Sequence, residues 1–472
     1  MSTTYRPTIG LEVHAELNTA SKMFCGCMNA PEGSEPNTLV CPVCLAHPGA
    51  LPTVNKQAVR HVLRVGTALG ATFADYSEFD RKSYFYPDMA KGYQISQYEY
   101  PLIQGGELQG VEITRVHLEE DTARSSHGLA GDNESLVDFN RAGVPLMELV
   151  TEPVIHDAQT AGAFAKSLQL LLRTLEVSGA ELSKGEMRIE ANISVSKSDV
   201  FGTKVEVKNL NSFRAVEKAI EFEIKRQIEV LEAGGEVIQE TRGWNETTEE
   251  TFPQRVKEGA ADYRYFPEPD LTKFSISSTQ EFSFDEIKNA LPELPWAREE
   301  RYKKSGIKTE DAQYLVQTKE RSDFFDKILV LTADQETIRL SSNYIVSELA
   351  GWYTKNQVTE FSNITPETFL EVIALIREGR LSSRGAKDVF AHVLQEGGAP
   401  ESIMTSLGLE QVRDETKLRE VVDRVVELHP QAVVELKQGK EALLQFLVGQ
   451  AMKESRGGGN PAEFQRLFRE LQ

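Results

Sequence analysis

The chain has 472 residues, 40% of them hydrophobic and 26% charged, with a formal net charge of −20. That length exceeds one ordinary core and predicts two or three globular domains. The acid excess excludes a nucleic-acid binder held by bulk electrostatics, so any RNA contact must use local basic patches and shape. No apolar run approaches a membrane span and no basic-then-apolar leader opens the sequence, so a cytoplasmic location with no membrane contact is expected.

Residues 9–17 alternate strictly: Ile9, Leu11, Val13, Ala15 and Leu17 are apolar, while Gly10, Glu12, His14 and Glu16 lie between them. Period-two alternation predicts a strand with one buried face. Glu12 and His14 then sit side by side on the other face, about 6.5–7 Å apart along the strand. That pair suits a shared metal ion or a phosphate-bearing ligand; a solvated strand face is the alternative.

All four cysteines follow in one short segment, Cys25 and Cys27, then thirteen residues, then Cys41 and Cys44. Two close pairs across a loop have the spacing of a closed structural zinc site, with reduced core thiols or a redox pair as the alternatives. A four-thiolate shell has no open position, so it would staple the loop at 25–44 and leave the chemistry elsewhere.

A helix is predicted from Asn55, as N-cap, to Leu69, stopped by Gly70. Residues 79–100 interleave Phe79, Tyr84, Phe85, Tyr86, Tyr93 and Tyr98 with Arg81, Lys82, Lys91, Gln94 and Gln97. Such a mix suits stacking on bases or sugars and pairing with phosphates, or else an aromatic-rich core strand with a polar rim. A strand from Val111 ends in Glu119-Glu120-Asp121, where period two sends Glu120 to one face and Glu119 with Asp121 to the other. Glu148 lies inside the apolar run Leu146-Met147-Glu148-Leu149-Val150, which demands a metal or an ion pair with an arginine such as Arg141.

An amphipathic helix is expected over 158–175, strands around Glu190 and Glu206, and a long helix over 212–232. The order of strands, helix, strands, helix predicts an α+β fold with a mostly antiparallel sheet covered by helices on one face. Glu12, His14, Glu120, Glu148, Glu190 and Glu206 would then line the open face, enough carboxylate for two or more divalent cations and a nucleotide phosphate. Neither a P-loop nor a Rossmann fingerprint occurs. Residues 291–295 read as a linker. Beyond it the pattern is helical, broken at Gly379, Gly397-Gly398 and Gly408, and a glycine run at 457–459 precedes the final helix. Lys437, Lys440, Lys453, Arg456, Arg466 and Arg469 make that end locally basic, either a nucleic-acid contact or a solvated helical face.

These segments resemble a known family. Ile-Gly-Leu-Glu-Val-His at 9–14, the run at 79–88, Tyr-Gln-Ile-Ser-Gln at 93–97, His-Leu-Glu-Glu-Asp at 117–121, the run at 206–212, the motif at 262–270 and Phe-Leu-Val-Gly-Gln at 446–450 are similar to the B subunits of the tRNA-dependent amidotransferases, the GatCAB complexes. The resemblance spans essentially the whole chain. It implies a catalytic cradle over 1–294, similar in fold to glutamine synthetase and guanido kinases, a helical domain over 295–405, and a YqeY-like tail over 406–472 that contacts tRNA. It implies ATP-dependent phosphorylation of the side-chain carboxylate of misacylated Glu-tRNA(Gln) or Asp-tRNA(Asn), followed by amidation with ammonia. The family's Mg²⁺ ligands match Glu12, His14, Glu120, Glu148, Glu190 and Glu206, with Glu190 standing where the family has Asp. Glu12, His14, Glu120 and Glu148 are the expected catalytic residues, and Arg81, Lys82, Tyr84, Lys208 and Asn209 the expected ATP contacts. The cysteine site occurs in only part of the family, so Zn²⁺ at Cys25, Cys27, Cys41 and Cys44 rests on their spacing.

The chemistry is coherent with this. A free carboxylate resists amination because oxide cannot leave, and phosphorylation supplies a leaving group. Ammonium must lose a proton, which Glu120 or His14 could take. The chain shows no means of making ammonia, which fits an A subunit that hydrolyses glutamine and a small C subunit that clamps the assembly. A tRNA-binding scaffold with catalysis in a partner, and a free-standing ligase for a small carboxylate, are the competing readings.

Overall fold

A computed structural model describes residues 5–127, 134–256, 263–411, 415–438, 440–455 and 459–471. Asp262 of the motif at 262–270, Arg456 and Gly457-Gly458 fall outside them. The chain divides into two compact units, Met1–Leu294 and Pro295–Gln472.

The first unit is built on one sheet. Its strands, in chain order, are β1 (Arg6–Glu16), β2 (Thr72–Phe73), then, after a separate pair β3 (Asp80–Ser83) and β4 (Tyr93–Ser96), β5 (Ile103–Gln104), β6 (Val111–Glu120), β7 (Pro145–Thr151), β8 (Met187–Ser196), β9 (Val205–Lys208), β10 (Glu240–Asn245) and β11 (Glu250–Val256). The spatial order is β11-β10-β9-β8-β1-β7-β6-β5-β2, with the short strand Glu107–Leu108 also on β6. Every pairing is antiparallel except β9 with β10. β1 is central, paired on both sides, and its odd residues Ile9, Leu11, Val13 and Ala15 are essentially solvent-free.

Three helices belong to this unit's core: α1 (Lys56–Ala68), α2 (Ala158–Thr174) and α3 (Phe213–Glu232). α1 packs on β6, α3 on β8 and β11, and α2 on α3. Their starts are set by side chains that satisfy otherwise unpaired backbone N–H groups. Asn55 accepts from Gln57 and Ala58, Asp157 from Thr160, and Ser212 from Ala215. Leu168, Leu171, Val216 and Ile220 on α2 and α3 are buried, as are the odd residues of β1. β3 pairs with β4 and, on its other edge, with β12 (Phe266–Pro267) in a separate small sheet.

The second unit is helical in all its named elements. Its last four helices, Glu415–Leu428, Pro430–Lys437, Ala442–Glu454 and Pro461–Arg469, share a core of Leu418, Val422, Val425, Leu436, Leu447, Phe464 and Phe468. Part of the basic character of this end is paired: Lys440 with Glu435 at 2.9 Å, and Arg466 with Glu463 at 2.9 Å. Among the described residues no helix is long and apolar enough to cross a membrane.

One buried charge network fastens α3 to the sheet. Glu223 is fully buried and accepts from Arg226 at 2.6 and 2.9 Å, Gln227 at 2.9 Å and Thr251 at 3.0 Å, with Arg242 at 3.5 Å. Removing one member of such a network strands the opposite charge in the interior. Glu223→Ala is expected to destabilise the sheet unit by about 3–5 kcal/mol, read as a lowered urea midpoint of its unfolding transition.

Candidate active site

Register decides which side chains meet on the open face of the sheet. Cross-strand partners share a face. His14 lies opposite Glu148 on β7 and Arg188 on β8; Glu148 lies opposite His117 on β6; Glu12 lies opposite Glu190, and Asn192 opposite Glu206. Five strands therefore contribute to one basin.

At its centre His14 Nε2 stands 3.4 Å from Glu148 Oε2, 3.5 Å from Glu119 Oε1 and 3.9 Å from Glu12 Oε1. His117 Nε2 is 3.4 Å from Glu148 Oε2 and 3.9 Å from Glu119 Oε2, and Arg115 reaches Glu148 Oε1 at 3.5 Å. Toward β9, Lys208 Nζ lies 2.8 Å from Glu190 and 3.6 Å from Glu206, and Thr241 donates to Glu206 at 2.7 Å. At the opposite end Arg188 holds Asp121 at 2.9 Å.

The electrostatics show uncompensated negative charge. Burial, with Glu148 and Glu190 against the pull of His14 and Lys208, pushes the Glu12 carboxyl up to about 7. Burial would lower His14, but the hydrogen bond and charge of Glu148, with Glu119 and Glu12, raise it to about 9. Glu148 is held below the usual carboxylate range, against its burial, by His117, His14 and Lys82. Lys82 is raised, against its own burial, by Glu119, Tyr265 and Glu148. Burial and Asp121 push Glu16 up to about 8.

The donor set fits divalent cations. Three groups bring one ligand atom per residue to within 4.8 Å of one another: Glu12, His14 and Glu148; His117, Glu119 and Glu148; and Glu12, Glu190 and Glu206. Nδ1 of His14, Nδ1 of His117 and Asn192 Oδ1 are buried with no hydrogen-bond partner. Carboxylate oxygens with imidazole nitrogen are ligands for a hard or borderline cation, and such an ion would displace the proton that His14 otherwise retains.

The structure does not bring Glu120 into this basin. Its carboxylate lies on the other face, accepting from Lys91 Nζ at 2.7 Å and from the Ile95 backbone at 3.0 Å. Glu119 occupies the basin instead, with Ser96 donating to it at 3.1 Å. The signal was present in the sequence. Val116 and Leu118 are buried apolar residues of the same parity as Glu120, which leaves His117 and Glu119 on the polar face. What obscured it is the irregularity opposite Val150/Thr151, which shifts the alternation between Ile113 and Val116. His117, Glu119 and Arg115 are thus the basin residues that the local pattern did not single out.

The expected ATP contacts divide. Lys82 and Tyr84 are near the acids: Glu119 perturbs both. Lys208 is inside the basin, while Asn209 is exposed at φ +65°. Arg81 is engaged elsewhere, bidentate to Glu268 at 2.7 and 2.8 Å and reaching Asp270 at 3.3 Å. Arg141 lies 3.7 Å from Asp121, so the ion pair considered for Glu148 forms with Arg115 instead.

The four cysteines converge independently, with their Sγ atoms within 4.8 Å of one another. Cys41 and Cys44 Sγ are 3.9 Å apart, close to the edge of a thiolate tetrahedron, about 3.8 Å for metal–sulfur bonds of ~2.3 Å. The buried Lys22 Nζ lies 3.8 Å from Cys44 Sγ. This cluster could hold a metal ion.

A family model described as "GatB/GatE catalytic domain" matches residues 7–281, and one described as "GatB domain" matches residues 323–471. Curated relatives, each named as the B subunit of an aspartyl/glutamyl-tRNA(Asn/Gln) amidotransferase, match end to end. The chain is 45% identical to that of Caldanaerobacter subterraneus, with 99% of both chains covered. It is 44% identical to that of Thermus thermophilus, again over 99% of both, and 40% identical to that of Crocosphaera subtropica, over 100% of this chain and 98% of the relative.

The placement of Glu119 and Glu120 on opposite faces is directly testable. Glu119→Gln and Glu148→Gln should each weaken Mn²⁺ binding by about tenfold or more, measured by the electron paramagnetic resonance of free Mn²⁺. Glu120→Gln should leave the titration within about twofold of wild type, because its carboxylate faces away from the cluster.

Proposed function

The chain belongs to the family of B subunits of aspartyl/glutamyl-tRNA(Asn/Gln) amidotransferases, and from that premise we propose that its acidic basin is where the side-chain carboxylate of misacylated Glu-tRNA(Gln) or Asp-tRNA(Asn) is phosphorylated and amidated. The observation that carries this reading is the convergence of Glu12, His14, Glu119, Glu148, Glu190 and Glu206 on one sheet face.

A carboxylate oxygen of the charged amino acid attacks the γ-phosphorus of ATP and ADP leaves. Ammonia then attacks the carbonyl carbon of the acyl phosphate, inorganic phosphate departs and one proton is lost, giving the amide. Glu12, His14 and Glu148, together with Glu190 and Glu206, would hold magnesium, which would supply charge neutralisation for the transferring phosphoryl group. Lys82 and Arg115 add fixed positive charge beside it, and Lys208 offsets the Glu190–Glu206 pair. Glu119, which is not among those ligands, would take up the proton of ammonium, a role for which Glu120, bonded to Lys91 and the Ile95 backbone on the other face, is misplaced. Ammonia comes from glutamine hydrolysed in a partner A subunit, with a small C subunit completing the assembly. The tail at 406–472 contributes to tRNA binding. Cys25, Cys27, Cys41 and Cys44 would hold Zn²⁺, which would staple the loop that follows β1, with Lys22 offsetting part of the thiolate charge.

With the chain assembled with its partner subunits, Glu148→Gln should abolish ATP-dependent amide formation on mischarged tRNA, a loss of at least about a thousandfold, while tRNA binding stays within about threefold. Full activity in that variant would instead favour a scaffold with the chemistry in a partner. The purified chain should carry about one zinc by elemental analysis, and Cys41→Ser should lose it.

A further inference from the structure

The aromatic run at 79–100 is only partly explained by the basin. Five tyrosine rings form an unbroken array. Tyr98 stacks on Tyr265 with centroids 4.2 Å apart and planes at 11°. Tyr265 meets Tyr263 at 6.0 Å, Tyr263 meets Tyr84 at 6.0 Å, and Tyr84 meets Tyr86 at 6.2 Å, each nearly edge-on. Core rings would be covered, yet the two ends of this array are open: Tyr98 is 57% exposed and Tyr86 58%. The backbone holds it in place, since Ser83 N donates to Tyr263 O at 2.9 Å and Tyr98 N donates to Asp80 at 2.9 Å. It also adjoins the basin. Lys82 Nζ sits 5.1 Å from the Tyr263 centroid, and Ser96, two residues before Tyr98, donates to Glu119.

We propose that this array is the stacking platform for the unpaired nucleotides at the 3′ end of the charged tRNA, and that it holds the aminoacylated terminus over the basin; this rests on the function proposed above. The alternative occupant, the adenine of ATP, brings one base, whereas the array offers an exposed ring at each end and several rings between, as a single strand of several unpaired bases requires. The charge balance favours the same occupant. A chain of net charge −20 cannot grip RNA by bulk attraction to phosphate. Stacking is indifferent to that repulsion because every base has a neutral face, and single-stranded ends are where bases can be splayed onto rings.

The test uses the complete amidotransferase with its partner subunits. Tyr98→Ala and Tyr86→Ala should each raise KM for mischarged tRNA by about fivefold or more, leave KM for ATP unchanged, and be rescued by Tyr98→Phe and Tyr86→Phe, which keep the ring. On a mischarged tRNA with abasic residues at the two nucleotides before the terminal one, the alanine variants and wild type should become equal. An undiminished penalty on the abasic substrate would show a structural role and overturn the proposal. So would a raised KM for ATP with an unchanged KM for tRNA. Variants with wild-type KM for tRNA would overturn it while leaving the proposed function intact; a wild-type complex that forms no amide would overturn both.

Discussion

Like charge crowded onto one face of a sheet is the constraint on which the rest of the first unit depends. Glu12, Glu148, Glu190 and Glu206 project from adjacent strands at cross-strand distance, where mutual repulsion is poorly screened by solvent. Such a face persists only if the opposite face is stable enough to hold the strands in register. The solvent-free alternation of Ile9, Leu11, Val13 and Ala15 under three capped helices supplies that stability. A one-residue slip would send every acid into the core, so register and function are protected by the same hydrophobic pattern.

Charge compensation within the basin is graded along the sheet. At the β6 end, Arg188 and Arg141 hold Asp121 down to about 2 against its burial, and that ion pair is structural. At the β9 end, Lys208 sits between Glu190 and Glu206. Between them the compensation is incomplete, with Glu12 raised and both histidines left with an unpartnered Nδ1. The incompletely compensated stretch is where cations and a phosphoryl group would be stabilised most, because the fixed charges of Arg115 and Lys82 are outnumbered there by Glu12, Glu119 and Glu148.

Glu120 shows how a strand-end carboxylate can be spent on architecture. With Lys91 and the Ile95 backbone it ties β6 to the small sheet, and Gln94 adds a bond to its carbonyl at 2.8 Å. The same connection carries Ser96 to Glu119 and places the tyrosine array beside the basin. Arg81, tied to Glu268 and stacked 4.3 Å over Tyr93, locks the other edge of that small sheet. Two charged residues that by type alone suit substrate binding therefore position the elements that carry the substrate-facing ones.

Local pattern was sufficient wherever one chain segment contains its own answer. The alternation of β1, the N-caps at Asn55 and Ser212, the cysteine spacing, the α+β order and the motifs that mark the family are all short-range, because period and capping depend on neighbours in sequence. Glu12, His14, Glu148, Glu190 and Glu206 were legible for the same reason: each interrupts an apolar or alternating strand. The shift in alternation that lets the parity of Val116 and Leu118 settle Glu119 over Glu120, the recruitment of His117 and Arg115, the diversion of Arg81 to Glu268 and the joining of five tyrosines from two separate segments were decided only by the tertiary structure. They depend on an irregularity in β6 and on which strand lies beside which, and pairing between strands far apart in the chain is set by the global packing of the core, not by the residues that flank each site.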